Sequence, residues 1–581
     1  MTDTSTFNLL DEPWIKCMDG TNQPVSLSIR DIFSGRGDAY KVVGDSPTQD
    51  YAVLRVLLAI FWRAHALDLV ESYAGKNWED FDWPEWFDDL RDQLENEKRD
   101  DVVLDYLDGL EDRFDLLSPI APFMQVADLH TKSGATKPVS FIVPEAADDF
   151  FTMRTAEGRE SLALDEAARW LIHAQAFDYS GIKSGAEGDP RVKGGRGYPI
   201  GTGWTGRTGG TIVLGEGGIL ETLILNTPPS AVLDSQEGGA VSADIPVWER
   251  EPDTAAQRLG SSDDIGAVPH GAVDLATWQA RRIRLFFEGD RAVQVLVSNG
   301  DRIPDAGKNV MGDPMTPYRY SPNQSKKGTD AYYARPYDPT RTMWRALDAL
   351  IALEDDPGFD NGKNKAPKRP RNLSNLAALE ADGYLDKSLL DLALVSMEYG
   401  PQESSVASTF IATIGLPLVV LRADETGRKV RNAVRTSAEK TGKAAISLGW
   451  FAGQLLVAAG GDYEFGSSTA DRFYTRLEPL FLTWMAGLSS NNAEEWQINW
   501  QKQVREQVLR DARELLRGAG TKAIVGREVD AGDTGKGRIV SAGSLYRQLH
   551  RRLDKDLPLT VSRTIPGTDA SGNSHEDDSD D

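Results

Sequence analysis

The chain has 581 residues, too many for one hydrophobic core, and a net charge of −25. An apolar share of 40%, with 14 Trp, 19 Phe and 16 Tyr, is enough to bury real cores and excludes a disordered chain. A single cysteine, Cys17, excludes a disulfide framework and a zinc site built on several thiolates. The six histidines show no metal-ligand spacing, so we expect neither a metal ion nor another cofactor.

Membrane insertion is not expected from the sequence. The longest apolar run, Val53–Ala66, is interrupted by Arg55 and Arg63 and does not approach the ~18 residues of a membrane span. The N-terminus lacks the basic and apolar regions of a signal sequence. We therefore expect a cytoplasmic protein without a membrane partner.

The negative charge is concentrated in two segments. Residues 77–115 contain 16 acidic and 4 basic residues, and residues 566–581 add six acids without any Lys or Arg. Together they hold 18 of the 25 excess negative charges, so the rest of the chain is nearly balanced. An acidic chain argues against the usual electrostatic binding of nucleic acid, but local basic clusters can still follow a phosphate backbone.

The first two thirds of the chain mix helical and strand patterns. Leucines and aromatic residues recurring at three and four predict a buried helix over Asp50–Leu69, and Asp88–Asp112 is typical of an amphipathic acidic helix or pair of helices. Apolar, β-branched runs predict strands. These runs are Thr211–Leu214, Glu221–Asn226, Ile283–Phe287 and Ala292–Val297.

From about Leu385 the pattern changes to long helices. Apolar stripes predict helices over residues 473–488 and 496–515. With Arg428–Ala458 and Ser544–Leu553 they make a four-helix bundle.

The sequence therefore predicts an α+β fold with two domains and a tail. A large mixed N-terminal domain with glycine-rich and basic loops covers residues 1–380. The C-terminal four-helix bundle covers residues 381–565, and residues 566–581 are predicted to be a disordered acidic tail.

Three segments carry a resemblance to a known family. They are Phe7-Asn-Leu-Leu-Asp-Glu-Pro-Trp-Ile15, the apolar run from Asp50 to Ala66, and Ala121-Pro-Phe-Met-Gln125. Together they resemble the CasA family, the large subunit of the type I-E CRISPR surveillance complex Cascade. A C-terminal four-helix bundle is also a feature of that family.

The resemblance implies a non-catalytic subunit of an RNA-guided interference complex. Such a subunit recognises the protospacer-adjacent motif (PAM) in double-stranded DNA, nucleates strand separation and R-loop formation, and helps recruit the helicase-nuclease. The implied partners are the guide RNA, the other Cascade subunits, double-stranded target DNA and the helicase-nuclease.

The stretch Gly181–Gly210 contains eleven glycines in thirty residues. Its formal GxGxxG, Gly201-Thr-Gly203-Trp-Thr-Gly206, is not typical of a dinucleotide site, because a strand-like run follows it instead of a helix. A flexible surface loop is one interpretation. The resemblance implies the other, in which Gly201 and Gly203 let the backbone approach the PAM.

A lysine that reads PAM bases is implied at Lys308. Counting back from Thr316-Pro-Tyr-Arg-Tyr-Ser-Pro322 reaches this position if one deletion is allowed. A lysine in a groove can donate to acceptors on a base edge. A lone surface lysine is otherwise only a solvated charge.

The segment Tyr399–Ser404 stands where the family has a short hairpin that reads the PAM and inserts a side chain into the duplex. The resemblance implies PAM-binding roles for Gln402, Glu403 and Ser404. Glu403 is a candidate for the inserted position, which is often Gln in the family, and this is a departure from the family pattern. A carboxylate there is electrostatically unfavourable near phosphates unless it stacks or accepts a hydrogen bond from cytosine N4. The local pattern alone indicates a turn and N-cap before a helix starting near Ser405.

Two further sets are implied contacts with partners. One set consists of cations spaced mostly by three and four residues, which places them on one helix face: Arg428, Arg431, Arg435 and Lys440. This face is either solvated or follows a phosphate backbone. The resemblance implies docking on the guide RNA and the adjoining subunit for Phe150, Phe151 and Arg154, although burial in the protein's own core is equally compatible with the two aromatic residues.

Two other functions remain open at the level of sequence. One is a structural scaffold without DNA specificity. The other is a carboxylate-dependent hydrolase using acids such as Asp88, Asp89 and Asp92, which have no His or Cys companion nearby in the sequence.

Overall fold

The computed structural model describes most of the chain, in fourteen ranges. They are residues 6–35, 39–146, 154–155, 157–205, 208–233, 243–260, 266–303, 313–326, 328–334, 336–337, 347–360, 364–489, 491–529 and 538–561. The chain divides into two units, Met1–Arg435 with Leu480–Asn491, and Thr436–Pro479 with Asn492–Asp581. The predicted boundary at residue 380 stays a prediction, and the acidic tail lies outside the described residues.

The described helices are α1 Ile29–Phe33, α2 Pro47–Ser72, α3 Trp83–Glu97, α4 Asp101–Leu107, α5 Glu111–Phe114, α6 Glu157–Glu160, α7 Leu164–Phe177, α8 Ile219–Leu225, α9 Pro229–Val232, α10 Ala272–Ala276, α11 Asp348–Ile351, α12 Arg371–Ala381, α13 Glu425–Ala459, α14 Ser467–Ala486, α15 Ala493–Gly518, α16 Gly520–Val525 and α17 Ala542–Asp556.

The described strands are β1 Ile15–Asp19, β2 Pro24–Leu27, β3 Ala39–Val42, β4 Lys137–Pro138, β5 Leu162–Ala163, β6 Lys183–Ser184, β7 Arg196–Gly197, β8 Thr208–Leu214, β9 Arg281–Glu288, β10 Arg291–Asn299, β11 Tyr318–Tyr320, β12 Tyr332–Ala334, β13 Leu389–Tyr399, β14 Val406–Pro417, β15 Arg527–Val529 and β16 Arg538–Val540. All described pairings are antiparallel, and the sheets have the orders β2-β1-β3, β4-β10-β5 with β9 on β10, β14-β13-β8, β11-β12, β15-β16 and β6-β7.

Helix α2 is the central core helix of the first unit. Its residues are buried around the whole circumference, because the run from Tyr51 to Ala66 is apolar on every face apart from a few paired polar residues. Ser46 caps its start by accepting a hydrogen bond from the Gln49 N–H, and Pro47 occupies the first turn. The predicted buried helix is confirmed, as are the acidic helices α3 and α4.

Two local predictions are wrong. The run Glu221–Asn226 lies in helix α8 and its C-cap, where the Asn226 amide bonds to the backbone N–H and C=O of Val213 on β8. Short apolar runs do not distinguish a buried helix from a strand. The helix expected from Ser405 is instead strand β14, which pairs along its whole length with β13.

The sheet β14-β13-β8 places two distant segments at the same end. Strand β8 begins at Thr208, opposite Ser396 of β13, near the end of the glycine-rich stretch Gly181–Gly210. The β13–β14 hairpin turns at Gly400–Ser405, just beyond that pair. Its tip and the end of the glycine-rich segment therefore leave the sheet on the same side.

The second unit is helical. Trp500 Nε1 of α15 donates to Thr441 Oγ1 of α13 at 3.0 Å, and Ser447 of α13 bonds to Asp556 at the end of α17. Arg476 of α14 pairs with Asp511 of α15. The predicted α+β fold with a C-terminal helical bundle is confirmed.

Helix α13 corrects one expectation from the sequence. It contains an 18-residue window with a mean hydropathy of 1.2, so by length and composition it is long and apolar enough to cross a membrane. However, 56% of that window is buried inside the protein, as in the core helices of many soluble proteins. This single helix is therefore weak support for a membrane span.

Asp50 gives α2 a pH-dependent contribution to stability. Burial raises the pKa of its carboxyl group to about 7, although Gly44 N–H donates to it. Between about pH 4 and pH 7 the folded protein keeps a proton that the unfolded chain has lost, so the contribution of Asp50 to stability falls as pH rises.

We expect Asp50→Asn to raise the free energy of unfolding by up to roughly 4 kcal/mol at pH 8 and to change little at pH 4. The amide oxygen of Asn can still accept from Gly44 N–H. Urea unfolding of both proteins across this pH range measures the difference. A stability gain that is the same at pH 4 and pH 8 would contradict the prediction.

Candidate nucleic-acid interface

A pocket of about 360 Å³ lies in the first unit, where the glycine-rich segment and the hairpin tip meet. It is bounded by Ile200–Thr205 and by Glu403 of the tip. Residues on both sides of the stretch 304–312 also line it, namely Arg302 and Ile303 before it and Asp313 after it. Further lining residues are Leu275, Ala280, Asp301, Thr316, Tyr318, Arg319, Tyr333, Ala334 and Pro336.

A larger cleft, of about 520 Å³, lies between α3 and α8. Its charges largely compensate each other, since Lys387 pairs with Glu221 at 2.8 Å and Arg91 pairs with Asp88. The smaller pocket brings together more of the residues implied by the sequence, so we take it as the candidate site.

The glycine-rich segment is fixed to the end of α7. The backbone N–H groups of Gly203–Thr205 donate at 2.8–3.1 Å to three carbonyl groups at or just after its last turn, which lack partners within the helix. A Cβ at Gly203 would meet the Ala176 backbone at 2.3 Å, so only glycine fits there. Gly203 is thus a buried packing residue with its N–H engaged, which weighs against its predicted DNA contact.

Gly201 differs from Gly203. Its φ is +113°, and a Cβ there would meet nothing within 4 Å, so the residue borders open space. Its carbonyl oxygen accepts from Arg281 Nη2 at 2.8 Å. The backbone at Gly201 therefore remains approachable.

A buried ion cluster lies beneath the glycine-rich segment. Lys183 Nζ is 2.7 Å from Asp178 Oδ2, and Arg281 Nε donates to the same oxygen. Burial acts to raise the pKa of Asp178, but the charges of Lys183 and Arg281 outweigh it and hold the pKa below its ordinary value. Burial lowers the pKa of Lys183 to about 8. These cations are structural and not available to a partner.

Helix α2 supports the pocket from behind through Arg55. Its Nη1 lies 3.0 and 3.1 Å from the Asp313 carboxylate oxygens and donates to Tyr51 Oη at 2.8 Å. The guanidinium carbon is 4.9 Å from the centre of the Trp204 ring. One fully buried side chain thus fixes both the glycine-rich segment and the residue that follows stretch 304–312.

The hairpin tip has an unusual backbone. Gln402 and Glu403 are consecutive non-glycine residues with φ of 57°, in the left-handed region. Hydrogen bonds from Gly400 N–H to Ser405 O and from Glu403 N–H to Gly400 O, both 2.9 Å, hold this turn. Backbone strain of this kind is found preferentially at ligand-binding sites.

The side chains of the hairpin tip differ in their exposure. Gln402 and Ser404 are exposed, and the Ser404 hydroxyl donates to the Pro401 carbonyl at 2.8 Å. Glu403 is half-buried and lines the pocket. The structure therefore brings Gly201 and Glu403 to one pocket, with Gln402 exposed beside them at the tip.

Three predicted residues, Lys308, Phe150 and Phe151, lie outside the described residues. The third docking residue, Arg154, is described, and its ion pairs weigh against the predicted docking contact. Its guanidinium is 2.7 Å from Glu145 and 2.6 Å from Glu166, and its side chain is only 13% exposed. It is neutralised inside the first unit.

The predicted cationic face on α13 is also largely internal. Arg431 is fully buried and forms a two-pronged ion pair with Asp356, at 2.7 and 2.9 Å. Arg435 is 14% exposed and pairs with Asp348 at 2.9 Å. These ion pairs weigh against the predicted phosphate contacts of both arginines, since spacing along a helix does not reveal which way the face points.

Arg428 and Lys440 remain predictions. Arg428 is 46% exposed, with an acid, Asp355, at 3.8 Å. Lys440 is partly exposed. Neither position conflicts with a contact to a phosphate backbone.

No local sequence pattern selects Arg302 and Arg319, which line this pocket, or Arg55, which supports it from behind. Arg319 stands within the Thr316–Pro322 run, but isolated arginines carry no local signal. Only the contacts of the folded chain identify them. In the part of the chain that the structure describes, no group of three or more His, Cys, Asp or Glu side chains could hold a metal ion.

Comparison with known proteins supports the resemblance. The family model for CRISPR-associated protein Cse1 matches residues 8–510. The CRISPR-associated protein CasA/Cse1 of Thermus thermophilus is 29% identical over 301 residues, which are 50% of this chain and 51% of that protein. The match thus spans about half the length of this curated relative.

Solved structures match over nearly the whole chain. The crystal structure of Thermobifida fusca Cse1 has a TM-score of 0.79 and 34% identity, covering 96% of this chain and all of that one. A chain of a CRISPR RNA-guided surveillance complex shares the fold, with a TM-score of 0.58, 18% identity and coverage of 88% and 99%. The family suggested by the three N-terminal segments is confirmed: the chain belongs to the Cse1 family of CRISPR-associated proteins, also called CasA.

Proposed function

We propose that this chain is the non-catalytic large subunit of an RNA-guided CRISPR surveillance complex, that it recognises the PAM in double-stranded DNA and that it nucleates strand separation. The observation that carries the proposal is the hairpin tip. An exposed Gln402 and a pocket-lining Glu403, both with left-handed backbone, project beside a glycine-rich segment whose backbone is approachable at Gly201.

The form of the tip supports the proposal of strand separation. A narrow two-stranded projection can enter a groove and place a side chain between base pairs, at a cost of a few kcal/mol in lost stacking. The left-handed turn fixes the direction of Gln402 before DNA arrives, so little conformational entropy is lost on binding. Gln402 is the inserting side chain in this proposal, and Lys308 and Ser404 contribute polar contacts.

The acidic composition of the chain is compatible with this role. The acidic residues 77–115 lie on and around α3 and α4, whereas Asp301 and Asp313 at the pocket are paired with arginines. A subunit that neighbouring proteins and a guide RNA hold on the DNA also needs less positive charge of its own. The partners in the proposal are the guide RNA, the other Cascade subunits, target DNA and a helicase-nuclease recruited after R-loop formation, all in the cytoplasm.

The surroundings of the acidic residues on α3 argue against the hydrolase alternative. Arg91 of α3 bonds to both Asp88 and Asp92, and Asp89 lies exposed on the same helix. These acids form a solvated, partly neutralised helix surface. A scaffold without DNA specificity is separated from the proposal by experiment.

The test is a gel-shift of the reconstituted guide-RNA complex on duplexes that differ only in the PAM, with and without this subunit. We expect tight binding of the PAM duplex to require the subunit. Gln402→Ala and Lys308→Ala should each weaken that binding by roughly tenfold, since each polar base contact is worth about 1–3 kcal/mol.

Thr409→Ala is the matched control, because Thr409 is exposed on β14 of the same hairpin but away from the tip. It should bind like the unchanged protein. Binding that is independent of the subunit, or equal for all duplexes, would leave only the scaffold and would overturn the proposal.

A further inference from the structure

Two arginines of the pocket have no polar partner in the described part of the chain. Arg302 and Arg319 are exposed and line the pocket, and neither guanidinium forms an ion pair or hydrogen bond with any described residue. The other arginines around this site are neutralised. Arg282 and Arg258 bind Asp301 at 2.7 and 2.6 Å, and Arg55 binds Asp313.

This pairing determines the charge that the pocket offers to a ligand. Asp313 is neutralised by Arg55. The other charged residues that line the pocket are Asp301, Glu403, Arg302 and Arg319. Asp301 is buried and shared by two arginines behind it. The two arginines therefore make the remaining charge of the pocket positive, although the net charge of the protein is −25.

The backbone beside each arginine is held by a hydrogen bond or by strand pairing. Arg302 follows Asp301, whose carbonyl oxygen accepts from Trp278 Nε1 at 2.9 Å. Arg319 is the central residue of β11, opposite Tyr333 of β12, and its guanidinium carbon is 5.9 Å from the Tyr333 ring centre. The planar fork of a guanidinium is itself pre-organised, so little entropy is lost for each bond when it forms two parallel bonds to a phosphate.

We infer that Arg302 and Arg319 bind phosphate groups of the duplex beside the PAM and hold the DNA backbone against this pocket, while the hairpin tip contacts the bases. The inference rests on the proposed function and assigns it two residues that the sequence did not indicate. Their exposure favours phosphates over base edges, since a backbone contact needs no deep insertion into a groove. Their charges also offset the repulsion between phosphates and Glu403.

The test measures salt dependence as well as affinity. Reconstituted complexes carrying Arg302→Gln, Arg319→Gln or both are titrated with PAM and non-PAM duplexes between 50 and 200 mM salt. Each phosphate contact contributes about 0.9 to the slope of log affinity against log salt. We expect each variant to reduce this slope by about one and to weaken binding to all duplexes by a similar factor, roughly threefold to tenfold.

Arg99→Gln is the charge-matched control. Arg99 is about half exposed in the acidic segment between α3 and α4 and does not line the pocket. Its removal changes the net charge equally but should leave the slope unchanged. Arg319→Lys keeps the charge and should keep most of the slope, whereas a merely structural role of Arg319 would give no such recovery. Circular dichroism melting confirms that each variant is folded.

Three results would overturn the inference. Slopes and affinities equal to those of Arg99→Gln would show that the arginines do not contact DNA. A loss confined to one base pair of the PAM would make them base readers. Equal losses in Arg319→Lys and Arg319→Gln would make that residue structural. The proposed function fails separately, when the unchanged complex does not prefer the PAM duplex, and the salt slopes still decide whether the arginines bind phosphate.

Discussion

Replacing Arg55 with methionine is expected to lower the free energy of unfolding of the first unit by about 3–5 kcal/mol. The change leaves the Asp313 carboxylate buried without its cation, and Arg55 is itself fully buried. It also removes the contact to the Trp204 ring. Because Asp313 and Trp204 both line the candidate site, PAM-dependent DNA binding should fall with stability.

The neighbouring pair on the same helix separates these two effects. Arg63 of α2 binds Glu249 at 2.6 and 2.9 Å with side chains only 8% and 17% exposed, but neither residue lines the pocket. Arg63→Met should destabilise the unit to a similar degree and leave DNA binding by the folded complex unchanged. Urea unfolding and gel-shift of both variants make the comparison.

A double variant tests the cause of the loss. Arg55→Met with Asp313→Asn removes both charges, and the Asn oxygen can still accept from the Met315 N–H, which bonds to Asp313 at 2.8 Å. Stability should recover in part. If Arg55→Met and Arg63→Met reduce DNA binding equally, the supporting role of Arg55 at the site is wrong.

Asp356→Ala is expected to cost about 3–5 kcal/mol in the first unit as well. It leaves the fully buried Arg431 without an anion. It also affects Arg369, where burial and then the charge of Arg431 lower the pKa to about 10, with Asp356 acting against them. Arg431 would thus lose its ion-pair partner, and Arg369 would lose a nearby compensating charge.

Asp355→Asn is the matched control for this prediction, because Asp355 directly precedes Asp356 in the chain but is 62% exposed and 3.8 Å from Arg428. Its effect should stay below about 1 kcal/mol. Replacing the buried pair by Arg431→Met and Asp356→Leu should restore much of the stability. Equal losses in Asp355→Asn and Asp356→Ala would contradict the buried ion pair.

The parts of the fold that the sequence predicts are those fixed by local periodicity. Helix α2 is recognisable because it is apolar around its whole circumference, and α15 because one stripe recurs over many turns. The sequence predicts neither strand of the β13–β14 hairpin, since residues 389–399 fall in the region assigned to long helices and Gly400-Pro401 followed by serines is also typical of a helix start.

The site was predictable only in part. Gly201, Gln402 and Glu403 were found through a resemblance, because the family motif carries positional information that composition does not. The sequence-based prediction assigns DNA contacts to Gly203 and Arg431, but both residues are buried. Their environment depends on residues far away in the chain, Ala176 and Asp356, which no local pattern connects to them.

The pairing of β8 with β13 also sets an order of events during synthesis. Strand β8 ends at Leu214, but its partner strand begins at Leu389 and the hairpin closes only with β14 at Pro417. At about 5–20 residues per second, the ribosome needs on the order of ten seconds or more to produce the missing strands. During that interval the glycine-rich segment has emerged without the sheet that later fixes its end, so a nascent chain cannot complete the candidate pocket before β14 is synthesised.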